Sequence, residues 1–136
     1  MLLRVLITFL IGVTVPAQPP GGEKESRTPA QQKINSQLLF EIYRARGEAE
    51  RKGVPPGDTR VRIDALGRAL VDVRADPTPA LQKKIQRLGG VVLSTSARDK
   101  SIIARIQLLK LETLAADRAV RFIEPAADAM TVRQPA

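Results

Sequence analysis

Apolar residues recur along this chain with two periods, and the places where one period gives way to the other divide it into elements. Ile34, Leu38, Ile42, Ala45 and Ala49 follow one another at helical spacing, and Leu39 and Tyr43 widen the stripe. Lys33, Glu41, Arg44, Glu48 and Arg51 take the other faces. Thr28-Pro29-Ala30-Gln31 supplies an N-cap, a proline at the first helical position and a glutamine placed to close a capping box. Gly53 and Pro55-Pro56-Gly57 close the pattern, which predicts one long amphipathic helix over residues 29–53. Ahead of it, residues 18–28 contain Pro19-Pro20-Gly21-Gly22 and little apolar material, which predicts a flexible leader.

Beyond residue 60 the period changes to two. Val61 and Ile63 alternate with Arg60, Arg62 and Asp64 as a short half-buried strand, and Gly67 provides a turn into the next. In Ala69 to Arg74 the alternation sends Ala69, Val71 and Val73 to one face, and Leu70, Asp72 and Arg74 to the other. Thr78 caps a helix that begins at Pro79, buries Leu81, Ile85 and Leu88, and leaves through Gly89-Gly90. Val91-Val92-Leu93 starts a strand, residues 96–100 form a polar turn, and Ile102, Ala104 and Ile106 alternate on the way back. Leu108, Leu111, Leu114 and Ala115 return to helical spacing until Asp117-Arg118 interrupts it. A last strand runs from Val120 to Ile123, ended by Pro125, and residues 126–136 read as an exposed tail.

The order after Arg68 is therefore βαββαβ. Two right-handed crossover units interleave into a four-stranded antiparallel sheet with both helices on one face, which predicts an α+β, ferredoxin-like sandwich over residues 60–125. Such a sheet has a second face. Alternation sends Leu70, Asp72, Ile103, Arg105, Gln107, Arg121 and Ile123 there, and turns Phe122 inward. Either the leading helix folds back over this face, since its stripe must be buried somewhere, or the face is left for a partner.

The first 17 residues differ from all the rest. One charge at Arg4, an apolar run from Val5 to Val15 and the small-residue exit Val15-Pro16-Ala17 have the anatomy of a secretory signal peptide, and the run is too short for a stable membrane span. The expected location is outside the cytoplasm, periplasmic or extracellular. The chain of 136 residues carries 22 Lys and Arg against 14 Asp and Glu, for a formal charge of +8. The basic residues are spread out and interrupted by acids, as on a solvated surface of mixed sign. With no Cys and no His there is no thiolate or imidazole ligand, no disulfide and no histidine base, so no cofactor or metal is expected. Asp64, Asp72, Asp99 and Glu112 have no paired spacing that points to catalysis, and the chain reads as a non-enzyme.

Several short blocks carry a resemblance. Lys33 to Tyr43, Ala69-Leu-Val-Asp-Val-Arg74, Leu88-Gly-Gly-Val-Val92, Ser101-Ile-Ile-Ala-Arg105, Leu111-Glu-Thr-Leu-Ala115 and Val120-Arg-Phe-Ile-Glu-Pro125 resemble the N-terminal prosegment region of bacterial secreted subtilisin-like serine peptidases, over about residues 33–130. In that family the prosegment packs its open sheet face on the peptidase and assists its folding, and its C-terminal tail lies in the active-site cleft as an inhibitor. The resemblance implies that Leu70, Ile103, Arg105, Arg121 and Ile123 dock on a subtilisin-like peptidase and that Glu124 begins the cleft-directed tail. It also implies a prosegment without its catalytic domain, since a chain lacking His cannot assemble a Ser-His-Asp triad. Gln107 stands where similar sequences have proline.

Two other readings compete. An RNA-recognition module shares the element order, but it stacks bases on sheet aromatics that the central strands here lack, so no nucleic-acid partner is expected. An exported structural or protein-interaction module with no peptidase partner is the main alternative.

Overall fold

The computed structural model describes residues 22–127. The predicted signal peptide, the first residues of the leader and the tail beyond Ala127 lie outside the described residues. Four strands, β1 (Arg68–Arg74), β2 (Val91–Ser96), β3 (Ser101–Gln107) and β4 (Phe122–Pro125), form one antiparallel sheet in the order β2-β3-β1-β4. The helices are α1 (Pro29–Gln32), α2 (Ser36–Ala45), α3 (Pro79–Arg87) and α4 (Leu111–Ala115), the last preceded by a 3-10 turn over Leu108–Lys110. The chain is thus α+β. One core joins Leu38, Leu39 and Ile42 of α2, Leu81 and Ile85 of α3, and Leu111 and Leu114 of α4 to Ala69, Val71, Val73, Ile102, Ala104 and Ile106 of the sheet. The helices therefore share one face of the sheet.

The long leading helix divides in two. Thr28 and Gln31 close the expected capping box, but α1 ends at Gln32, and Lys33 to Asn35 pass alongside β4. The Ile123 amide donates to the Lys33 carbonyl at 2.7 Å, and the Asn35 amide donates to the Ile123 carbonyl at 2.8 Å. Continuing the helix would leave this edge of β4 unpaired and lift Ile34 from the core, where it is buried against β4. Asn35 then caps α2 by accepting from the Gln37 amide, an Asn role favoured over the helix interior. At the other end α2 stops at Ala45. Gly47 adopts φ +70 and its amide donates to the Arg44 carbonyl, while the Glu48 amide donates to that of Tyr43, a Schellman exit eight residues ahead of the expected end at Gly53.

The leader is tied down where it is described. Glu23–Ser26 forms a 3-10 turn, and Arg27 grips both oxygens of the Glu23 carboxylate at 2.7 Å while also donating to Ser36 Oγ at 3.0 Å. Tyr43 OH, on buried α2, donates to Glu23 at 3.1 Å. The hydrogen bond from Arg27 holds Glu23 below the ordinary carboxylate range against the opposing effect of burial. Burial first, and the neighbouring Glu23 charge second, push the Tyr43 phenol up to about 12. Residues 23–28 are therefore a clasp on α2 and not a free leader.

The expected strand at residues 61–63 is reduced to a single bridge between Ile63 and Ala69, with the Leu70 amide donating to the Arg62 carbonyl at 3.2 Å. It lies along β1 where β4 has ended. Asp64 organises the turn into β1 by accepting from the amides of Leu66 and Arg68 and from Arg68 Nε, and the Arg68 amide contributes most to keeping its carboxyl below the usual range.

Candidate protein-docking face

The strand register fixes which side chains share the face turned away from the helices. Leu70 of β1 lies opposite Arg105 of β3, which lies opposite Val91 of β2. On the next rung outward, Asp72 is flanked by Glu124 of β4 and Ile103 of β3, with Ser94 beyond. On the third, Arg74 is flanked by Phe122 and Ser101, with Ser96 beyond. The intervening residues Ala69, Val71, Val73, Ile102, Ala104, Ile106 and Ile123 are all fully buried on the helical side. Since α2 joins the core, no helix covers the outer face among the described residues.

Leu70, Ile103 and Arg105 come together on this face as the sequence predicts, whereas Glu124, expected to begin the tail, is a β4 residue that lies opposite Asp72 on the same face. Ile123 does not. It lies opposite Val73, is 0% exposed, and belongs to the core. Alternation counted from Val120 fails because Val120 is still in a turn, its amide donating to the Asp117 carbonyl, and the strand begins only at Phe122. The parity therefore resets, and Phe122, expected inside, sits on the outer face opposite Arg74. Arg121 also precedes the strand. Its side chain is exposed near Asp76 at 3.9 Å, and it lies about five residues from Arg105 along β1, roughly 17 Å.

The register adds residues that the pattern did not single out. Val91 is 44% exposed and Leu93, the extra residue at the β2 bulge, is 49% exposed, so the apolar surface reaches the β2 edge. A run of three apolar residues carries no alternation, and only the pairing with β3 tells which of them is covered.

The face is electrostatically asymmetric. At the β4 end Arg74 spans two carboxylates, donating from Nη2 and Nε to Glu124 Oε1 at 2.8 and 3.0 Å and lying 3.3 Å from Asp72. Ser101 Oγ donates to the second oxygen of Asp72 at 2.6 Å. The hydrogen bond with Glu124, and then the charge of Asp72, raise the Arg74 pKa further. These carboxylates are engaged as acceptors, an arrangement that orders the sheet surface. At the other end Arg105 is exposed beside a hollow of about 230 Å3 lined by Arg62, Ile63, Asp64, Arg68 and Leu70. An apolar strip between a neutralised end and a cationic end suits contact with a protein surface.

A second hollow, of about 430 Å3, opens where the chain leaves β4, between Asn35, Gln37, Arg60 and Arg62 on one side and residues 124–127 on the other. Among the described residues there is no group of three His, Cys, Asp or Glu able to hold a metal ion. Among them, too, no helix is long and apolar enough to cross a membrane. In comparison with known proteins, no family model matches the chain, and neither a curated protein nor a solved structure gives a significant match.

Proposed function

We propose that this chain is an exported, non-catalytic binding protein that acts on a subtilisin-like serine peptidase in the manner of a prosegment, using its outer sheet face and C-terminal tail to inhibit the enzyme and assist its folding. The observation that carries the reading is the uncovered sheet face, on which Leu70, Ile103 and Val91 line up beside Arg105. The antiparallel order β2-β3-β1-β4 with the helices on one face supports a ferredoxin-like sandwich, the architecture implied by the resemblance of the sequence blocks. Ala126 still donates to the Leu70 carbonyl at 3.1 Å, so the chain leaves along the rim of that face, as a tail entering a partner's cleft requires. Residues 1–17 supply the export signal, and the absence of His removes the triad chemistry.

The test is inhibition of a purified subtilisin-type peptidase by this protein, followed with a chromogenic peptide substrate. Inhibition is expected, weakened by Ile103→Arg, which places a charge in the apolar strip without entering the core. Absence of both inhibition and a complex at on the order of tens of micromolar would sink the proposal.

A further inference from the structure

The sheet has two edges, and the chain treats them differently. Along β4, Lys33 to Asn35 supply a partner, and where β4 has ended the Arg62 carbonyl and the Ile63–Ala69 bridge continue the cover along β1. At the other end of the order β2-β3-β1-β4, no strand pairs with the free side of β2 among the described residues. Such an edge presents a row of backbone donors and acceptors, which proteins ordinarily guard with charge or proline. β2 reads Val-Val-Leu-Ser-Thr-Ser and has neither. Its one irregularity, the bulge at Leu93, bends the strand but leaves Val91, Leu93 and Thr95 exposed.

The charges at its two ends indicate what completes it. Arg87 closes α3 ahead of the strand, and Asp99 lies in the turn behind it. Both are exposed, and neither has an ion-pair partner among the described residues; Asp99 is the least of the charges acting on Arg74. Both are also held near the strand. The Gly90 amide donates to the Ile85 carbonyl at 2.9 Å, which keeps the end of α3 close to the start of β2. Ser96 Oγ donates to Asp99 Oδ2 at 2.8 Å and accepts from the Asp99 amide at 3.1 Å. Arg98 and Lys100 flank Asp99, but of these three side chains only that of Asp99 is hydrogen-bonded to β2.

An uncharged strand with a cation at its leading end and an anion at its trailing end is self-complementary in an antiparallel pair. A two-fold axis through the middle of the strand brings the leading end of each copy beside the trailing end of the other. We propose that β2 is a self-association edge, to which a second copy of this chain adds its own β2 antiparallel, each copy's Arg87 meeting the other's Asp99. The seam sets no like charges opposite each other, which matters in a chain of formal charge +8. With the axis perpendicular to the sheet, the helices of both copies stay on one side and the two outer faces join into one, which remains open. The inference does not depend on the peptidase reading, since the pairing forms before any other partner arrives.

Sedimentation equilibrium of the protein as the producing cell processes it, from about 1 μM to about 1 mM, tests the pairing. A monomer–dimer equilibrium is expected, with a dissociation constant of about 10–100 μM for so small a seam. Arg87→Glu should weaken it at least about fivefold, and so should Asp99→Arg, while the two together should return it to within about twofold of the parent. Leu93→Lys, which sets like charges into the seam at an exposed position, should weaken it as well. Amide hydrogen exchange compared at the two ends of the concentration range should slow at residues 91–96. A common melting temperature at the lowest concentration verifies folding of each variant. A monomer throughout the range overturns the proposal, as does a dimer whose exchange slows elsewhere and not at residues 91–96, or one that Leu93→Lys leaves unchanged. A combined reversal no stronger than the single variants overturns the Arg87–Asp99 seam.

Discussion

Replacing Ile123 by Ala tests the assignment of the two sheet faces more sharply than any change on the outer surface. Ile123 is fully buried and contributes both to the core and to the pairing of β4 with Lys33 to Asn35. Alanine keeps the backbone amide and carbonyl that make the two hydrogen bonds to that segment, so the variant removes packing alone. An isoleucine-to-alanine truncation in a closed core costs about 2–5 kcal/mol, from lost transfer free energy and the cavity left behind. In a domain of this size each kcal/mol lowers the melting temperature by about 4–8 °C, so a fall of roughly 8–40 °C is expected by circular dichroism or calorimetry. Ile103→Ala is the matched control. Its side chain is only partly covered, on the outer face. It should cost less than about 1 kcal/mol, and its effect should appear instead as weaker peptidase inhibition. Equal destabilisation by the two variants, or a shift below about 3 °C for Ile123→Ala, would refute the parity reset at Phe122.

Tyr43 is the only tyrosine and there is no tryptophan, so phenolate absorbance reports on the clasp alone; its midpoint should lie at about 12, and an ordinary midpoint near 10 would refute the burial and the Glu23 contact. Because the folded value is raised, the stabilisation is complete below about pH 10 and is lost as pH rises through the folded midpoint. Gly90→Ala should cost about 1–3 kcal/mol in denaturant unfolding, since a Cβ there would stand 2.7 Å from Ile85 Cγ2 and 2.9 Å from the Ile85 carbonyl; a neutral result would mean that the junction of α3 and β2 is looser than described. Asp117 is held below the ordinary carboxylate range first by the hydrogen bond from Lys84 and next by the Ala119 amide. Its stabilisation is present above about pH 4 and lost as pH falls through the depressed value, so Asp117→Asn should flatten the acid limb of the stability profile, and an unchanged limb counts against the contact.

Elements whose boundaries are written in local chemistry were legible. Thr28 and Thr78 cap where expected, Gly89 provides the left-handed exit from α3, and the alternation in β1 and β3 gives the correct inner faces. The outer-face positions of Leu70, Ile103 and Arg105 followed from the same rule. The break after Gln32 was not legible as a break, because Ile34 fits the helical stripe equally well whether it continues a helix or lies against a strand. Asn35, a strong capping residue inside the pattern, was the available signal.

The sequence by itself determined the strand-helix alternation, the caps, the lack of histidine chemistry and the alternation that leaves one face of β1 and β3 out of the core, all of which depend on neighbours within a few residues. Tertiary structure decided the rest. The side on which Ile123 and Phe122 fall depends on where β4 starts pairing with β1, and the fate of the leading segment depends on the unpaired edge of β4. Both are settled by backbone hydrogen bonds between residues far apart in the chain, which must be satisfied once the edge is buried, and no local periodicity records them.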